Sequence, residues 1–329
     1  MSCSKTETDY IPELSFGEQK CITEFKNTHN LSVDSSFIYD ANAISFKIID
    51  TLIITESRNN AAGGWKVMNL QWKEIGAFLN RGHAQGEFGS IPAVHNSPFF
   101  YENDTLYSIA HDNRIGNVYK INITKTIEDS CLNYTLLYNK LKKPLDRFVY
   151  INDREYLTRE NTFKKNTLKR LTLYKNGKFA KNEIFEELNK INVDSEDWNI
   201  LAAFPAYNRK HDALILTYTF FNTINIIQVH GKKCITVSYG KHADMGTVLQ
   251  SKNRNVFHEE TQLYDDVFAV IDIKDRDKPR IHVYDYNGNP IKEYILPKSA
   301  TAFDFDKING FLYTHNYDDG QVVRYKATL

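Results

Sequence analysis

No run of about 18 consecutive apolar residues occurs in the 329-residue chain, so the sequence offers no helix able to cross a membrane. Nor is there an excess of charge: 41 Lys and Arg meet 41 Asp and Glu, for a formal net charge of zero. Partners rich in phosphate demand a basic surplus or at least a basic stripe. The short pairs Lys142-Lys143 and Lys164-Lys165 are broken by apolar neighbours, which argues against nucleic acid as a partner and leaves solvated surface as their role. Cysteine is sparse and scattered. Cys3, Cys21, Cys131 and Cys234 form no C-x-x-C and have no histidine at zinc-finger spacing, so neither a structural zinc site nor a redox pair is expected. Missing too are the G-x-S-x-G elbow, a Gly-Lys-Ser or Gly-Lys-Thr phosphate cradle, G-x-G-x-x-G and H-E-x-x-H. Neither a cofactor nor a metal is expected.

What the chain does have is aromatic residues, 20 Tyr and 20 Phe, which favour pleated, half-buried surfaces. It also has a recurring phrase: a strand, a polar turn, a second strand, then one or two more. The phrase begins at Ala43, Phe99, Arg147, Ile200, Glu260 and Ala300, which makes six copies of roughly 45 to 55 residues. Two-residue turn signals punctuate them at Asn176-Gly177, Asn287-Gly288, Asn309-Gly310 and Asp319-Gly320. This period and strand count predict an all-β fold: a six-bladed β-propeller of four-stranded antiparallel blades. A pair of β-sandwiches is the runner-up, but it would not repeat one phrase six times. The sixth copy stops after three strands, so a strand from the N-terminal segment, Gln19 to Asn27, is expected to complete it and close the ring. Residues 19–329 then form one domain behind a tether of residues 1–18.

Two phrases echo each other. "RGHAQGEF" starts at Arg81 and "GKHADMG" at Gly240, each just after the last strand of its copy. His83 and His242 lie three copies apart, which is half a turn of a six-fold ring. Arg81, His83, Glu87, Lys241, His242 and Asp244 are therefore candidate ligand-binding residues facing one another across the channel mouth, with histidine titrating near neutrality. Bracing of the return loops is the plainer role for them. The remaining candidates read as structural. His111-Asp112 and His211-Asp212 suit satisfied turns, "HEE" at His258 to Glu260 suits a solvated turn, and Cys234 alternates like an inward strand residue. "NEIFEELNKINVD" reads as a short amphipathic helix between copies three and four.

"RGHAQGEFGSIPAV" resembles the glycine-rich return loop of six-bladed, TolB-like β-propellers of Bacteroidetes lipoproteins, with His83 and Ala84 standing where that loop is richer in glycine. The closing stretch "VYDYNGNPIKEYIL…AFDFDKINGFLYTHNYDDGQVVRY" is similar to the last two blades of the same proteins. The resemblance implies a secreted, lipid-anchored propeller and carries over no catalytic residue. The N-terminus is read in the same way. In "MSCSKTETDY", Cys3 is the residue expected to carry the lipid, followed by a short polar tether, with membrane contact through that anchor alone. An ordinary N-terminus that happens to contain cysteine is the alternative.

Two functional classes follow. One is a binding module on the cell envelope holding a polar ligand, a glycan or a protein. The other is a propeller hydrolase or lyase acting on a sugar, lactone or ester at the channel mouth. Fold does not decide between them. Two opposed loops without a complete catalytic constellation favour the binding module.

Overall fold

The computed structural model describes residues 14–39, 43–57, 63–84, 86–141, 145–160, 171–191, 200–241 and 243–329. The chain forms six antiparallel sheets arranged as a six-bladed β-propeller. From blade 1 to blade 6 the innermost strands are Ala43–Ile49, Phe99–Glu102, Leu145–Asn152, Ala203–Asn208, His258–Leu263 and Ala302–Asp306. Each blade steps outward from its inner strand through hairpins. In blade 3, Asn176 and Gly177 adopt φ of 51° and 71° between Thr172–Lys175 and Lys178–Ala180. Positive φ at both positions gives the turn whose twist matches the flanking strands, which is why Asn-Gly signals it so well.

Propeller sheets are buried on both faces, and the strand sequences show it. Ala213–Tyr218 in blade 4 is buried at every position. Its alternate side chains serve different neighbours. Leu214, Leu216 and Tyr218 pack against Val149, Leu157 and Leu173 of blade 3, whereas Ala213 and Ile215 join Phe268, Val270 and Tyr284 of blade 5. The same division recurs around the ring. Each of the six apolar clusters among the described residues straddles one junction between successive blades, including that between blades 6 and 1.

Closure does come from the N-terminal segment, but not through the strand the sequence suggested. The fourth strand of blade 6 is Val33–Ile38, antiparallel to Gln321–Lys326. Most of the stretch expected to fill that place lies earlier on the path. Glu18–Ile22 runs parallel to Cys234–Tyr239 as a fifth strand on blade 4, and Thr28–Asn30 runs parallel to the outer strand Pro290–Ile295 of blade 5. The segment is a strap that crosses the rims of blades 4 and 5 before it closes blade 6. At the start of the strap Gly17 takes φ of 63°, and a Cβ there would come within 2.0 Å of the Cys234 carbonyl oxygen. Only glycine permits this approach.

The seam between blades 6 and 1 is held by Trp72, in the last turn of blade 1. Its ring meets Phe37 of the closing strand and Tyr39 just after it, Phe46 of blade 1 and Tyr313 of blade 6, with centroids 5.3 to 5.7 Å apart. Trp72 also has φ of 60°, a costly conformation for a bulky residue. The aromatic contacts must outweigh that cost. Trp72→Ala is therefore expected to lower stability by at least about 2 kcal/mol, read as a drop in the midpoint of urea unfolding with an unchanged slope. An unchanged midpoint would show that the seam does not depend on this ring.

Candidate functional site at the propeller axis

The innermost strand of a blade has one side paired and the other side open to the axis, so its backbone groups need partners from elsewhere. Carboxylates supply several of them. Glu260, on the inner strand of blade 5, accepts the Phe303 N–H of blade 6 at 3.0 Å. Asp304, on the inner strand of blade 6, accepts the Ile48 N–H of blade 1 at 2.8 Å and the Tyr264 hydroxyl at 2.7 Å. Gln262 binds both Glu260 Oε1 and the Phe303 carbonyl. The blades are thus laced together along the axis by acidic side chains.

Lys47, on the inner strand of blade 1, faces this lacework. Among the described residues it forms no ion pair, and Asp304 and Glu260 act on its charge across space. Burial lowers its pKa, while those two carboxylates hold it up. Burial likewise raises Asp304 and pushes Glu260 well above the usual carboxylate range, with the Phe303 N–H and Lys47 opposing the rise in Glu260.

The return from blade 1 to blade 2 enters the same space. Trp65 Nε1 donates to the Pro92 carbonyl at 2.7 Å, and Val94 N–H donates to Glu56 at 3.0 Å. These bonds set the 3₁₀ turn Val94–Asn96 against the inner strands of blades 1 and 5. His95 on that turn is pushed down to about 3 by burial first and then by the charges of Arg147 and Lys47. It is a neutral imidazole at any ordinary pH. Four blades and one return loop therefore bring Lys47, His95, Arg147, Glu260 and Asp304 into one electrostatic neighbourhood, able to donate and accept hydrogen bonds and to balance either sign of charge.

The sequence reading missed this site. His258 to Glu260 is not a solvated turn but the start of the inner strand of blade 5, with His258 3% and Glu260 4% exposed. His258 Nδ1 donates to the Tyr218 carbonyl, 3.0 Å away, and Glu260 laces blade 5 to blade 6. The recoverable signal was "HEETQLY" itself: Glu260 and Gln262 share one strand face immediately before an Asp-Asp turn.

The candidate loops do follow the outer strands of blades 1 and 4. Arg81 and His83 are exposed, while Glu87 Oε2 accepts the Ala84 N–H at 2.8 Å within its own loop. Gly86 lies beside Tyr134 on the outer strand of blade 2. In the second loop Lys241 is exposed, with its carbonyl held by Asn222. Asp244 caps the helix Met245–Gln250 through the Thr247 N–H and hydroxyl, and those bonds lower its pKa. His242, like Cys3, lies outside the described residues. Cys234 is buried in the core between blades 3 and 4.

The His-Asp pairs divide their work. Asp112 accepts the N–H groups of Gly89 and Ser90, fixing the loop that leads to His95. His211 stacks on Tyr286 and meets the Asp265 carbonyl, so its ring turns to blade 5 rather than to Asp212. Asp212 instead holds His230, whose Nδ1 lies 2.7 Å from Asp212 and whose Nε2 lies 3.0 Å from Glu155 of blade 3. Lys175 and Asn152 complete the shell around Glu155, and Tyr207 completes that around Asp212. No group of three or more His, Cys, Asp or Glu among the described residues is placed to hold a metal ion.

No protein-family model matches the chain, and no curated protein matches it. Solved structures do. A protein from Bacteroides fragilis provisionally described as exported is similar over 93% of this chain and 98% of its own, with 12% identity and a TM-score of 0.54. A member of the DUF4221 family from Bacteroides vulgatus is similar over 90% and 97%, with 10% identity and a TM-score of 0.53. At such identities the likeness is one of fold.

The His230 bridge has a pH signature. Burial disfavours its charge, but Asp212 and Glu155 outweigh burial and raise its pKa above 6.5. Its contribution to stability is complete below that value and fades as pH climbs through the raised one. Glu155, lowered to about 2 by Lys175, Asn152 and His230 against the opposing effect of burial, loses its contribution only in acid, as pH falls from 4.5 towards 2. In a thermal melt series from about pH 6 to pH 9, wild-type Tm is expected to fall more steeply than that of His230→Gln. Parallel curves would remove the bridge as a charged contact.

Proposed function

We propose that the protein is an extracytoplasmic binding module that takes a polar small ligand at the axial cluster. The observation that carries the proposal is Lys47, a half-buried cation with no ion pair among the described residues, beside two carboxylates that burial pushes upward. A buried charge left unpaired costs stability, and replacing such groups by packed apolar residues is often neutral or better for the fold. Groups retained under that cost with shifted pKa values mark a candidate binding site.

The Bacteroides fragilis protein of like fold, provisionally described as exported, supports the extracytoplasmic reading, and the return-loop resemblance supports kinship with TolB-like lipoproteins. In this reading residues 19–329 are one propeller domain, Cys3 carries the lipid, and the exposed Arg81, His83 and Lys241, with Glu87, His242 and Asp244, form the outer rim through which ligands pass. Turnover of a sugar, lactone or ester is the second reading. Glu260 favours it, because burial raises its pKa and so favours the protonated form that a general acid requires.

Two measurements test the proposal. A thermal-shift screen of sugars, amino acids and organic acids should find stabilising ligands for the wild type. Lys47→Met and Glu260→Gln should lose those shifts while still melting cooperatively, whereas retained shifts in both variants would place binding elsewhere. For the anchor, the wild type from its own organism is expected in the detergent phase of a Triton X-114 separation and Cys3→Ser in the aqueous phase. Equal partitioning would sink the lipid assignment.

A further inference from the structure

Away from the axis, an open cleft of about 570 Å³ lies on the seam where blade 6 meets blade 1. Three walls form it. The closing strand contributes Ser35 and Phe37, the turn before the outer strand of blade 1 contributes Gln71 and Trp72, and the first hairpin of blade 6 contributes Asn309 and Phe311. The size falls within the roughly 300–1,000 Å³ of sites that take small ligands.

Each wall offers the same two things, an aromatic ring and a neutral hydrogen-bonding group. Ser35 and Phe37 stand two apart on one face of their strand. Phe37, Trp72 and Phe311 are half-buried, so each keeps part of its surface open. Among the described residues the Ser35 hydroxyl and the Gln71 amide have no partner. Asn309 donates through Nδ2 to Asp306 at 2.8 Å and keeps its side-chain oxygen as an acceptor. The indole N–H of Trp72 is buried without a partner among the described residues. It can only donate, so an acceptor oxygen is what would satisfy it.

The two charged side chains of the lining are committed within the protein. Arg324 donates through Nε to Asp34 at 2.7 Å, and its guanidinium lies over the Phe311 ring, 4.4 Å from the centroid. Asp306 accepts the N–H groups of Ile308 and Asn309 together with the Asn309 amide. Neither charge waits for a counter-ion, and the groups left over are neutral. Nor does the lining resemble a protein interface, which gathers apolar groups at its centre and polar ones at its rim. Here rings and hydrogen-bonding groups interleave. A sugar ring has the matching pattern, with C–H groups on its faces to lie against aromatic rings and hydroxyls around its edge that both donate and accept.

We propose that this cleft is a binding site for a neutral carbohydrate, with Phe37 and Trp72 against the sugar ring and Ser35, Gln71 and Asn309 bonding its hydroxyls. Because the cleft is open, it admits a sugar unit within a longer chain as well as a free one.

The experiment is a calorimetric titration of the full chain with maltotriose, cellotriose, mannotriose and triacetylchitotriose. Trigalacturonic acid serves as the charged comparison and the tripeptide Ala-Phe-Ala as the peptide one. The expected result is saturable binding of at least one neutral trisaccharide, weakened about tenfold or more in Gln71→Ala and in Phe37→Leu, as the loss of one hydrogen bond or ring contact would give. Should Phe37→Leu fail to fold, Ser35→Ala serves in its place. Three outcomes overturn the proposal: no binding of any neutral trisaccharide, binding of trigalacturonic acid or Ala-Phe-Ala at least as tight, or sugar binding unchanged in the variants. None of Lys47, His95, Glu260 and Asp304 lines this cleft, so failure here leaves the axial reading standing, and success here does not establish it.

Discussion

A circle of sheets has no ends only if its first and last blades are physically joined, and everything else in this molecule depends on that joint. The antiparallel pairing of Val33–Ile38 with Gln321–Lys326 ties residues from opposite ends of the sequence into one sheet. Without it blade 6 would present an unpaired outer edge. The apolar cluster between blades 6 and 1 would then rest on side-chain packing alone. With it, each blade is flanked on both faces. This is why strands such as Val267–Asp272, buried at all but the first position, can be almost continuously apolar in a chain whose overall composition is ordinary.

Closure also explains the interior. Once six inner strands stand around one axis, their unpaired backbone groups face a narrow polar space, and burying them unsatisfied would cost more than a kilocalorie or so each, about 1–3 kcal/mol. Glu260 and Asp304 answer the N–H groups of the next blade, and Glu56 answers Val94. The arrangement that seals the ring therefore concentrates carboxylates at its centre. Lys47, His95 and Arg147 are the further residues that make this centre more than a seal, because the backbone needs acceptors there and not cations.

How much of this was legible in the sequence follows from the range of each signal. Hairpins were plain because Asn-Gly and Asp-Gly act locally, and the six-fold repeat was plain because periodicity survives loop insertions. The helix Glu183–Lys190 was visible for the same local reason. The closing strand was misplaced because "QKCITEF" and "VDSSFI" are both short stretches of mixed polarity, and strand order depends on partners that lie almost 300 residues away. The axial site stayed hidden for a related reason. Lys47, Glu260 and Asp304 are unremarkable singly and meet only when blades 1, 5 and 6 close the circle. The return-loop echo drew attention to Arg81 and His83 at the start of a segment whose axial residue, His95, comes a dozen positions later.

The strap has a bearing on how the molecule comes into being. Its three strands are made first, yet the edges they pair with lie in blades 4, 5 and 6, beyond Cys234, Pro290 and Gln321. While the chain is emerging, these early strands have no partners for more than 200 residues, and long-range pairing of this kind is slow. Their composition suits the wait. "EQKCI", "THN" and "VDSSFI" are short and each carries polar or charged residues, poor templates for joining a neighbouring chain. The same shortness and mixed polarity that made the closing strand hard to read let it remain single until the last blade arrives.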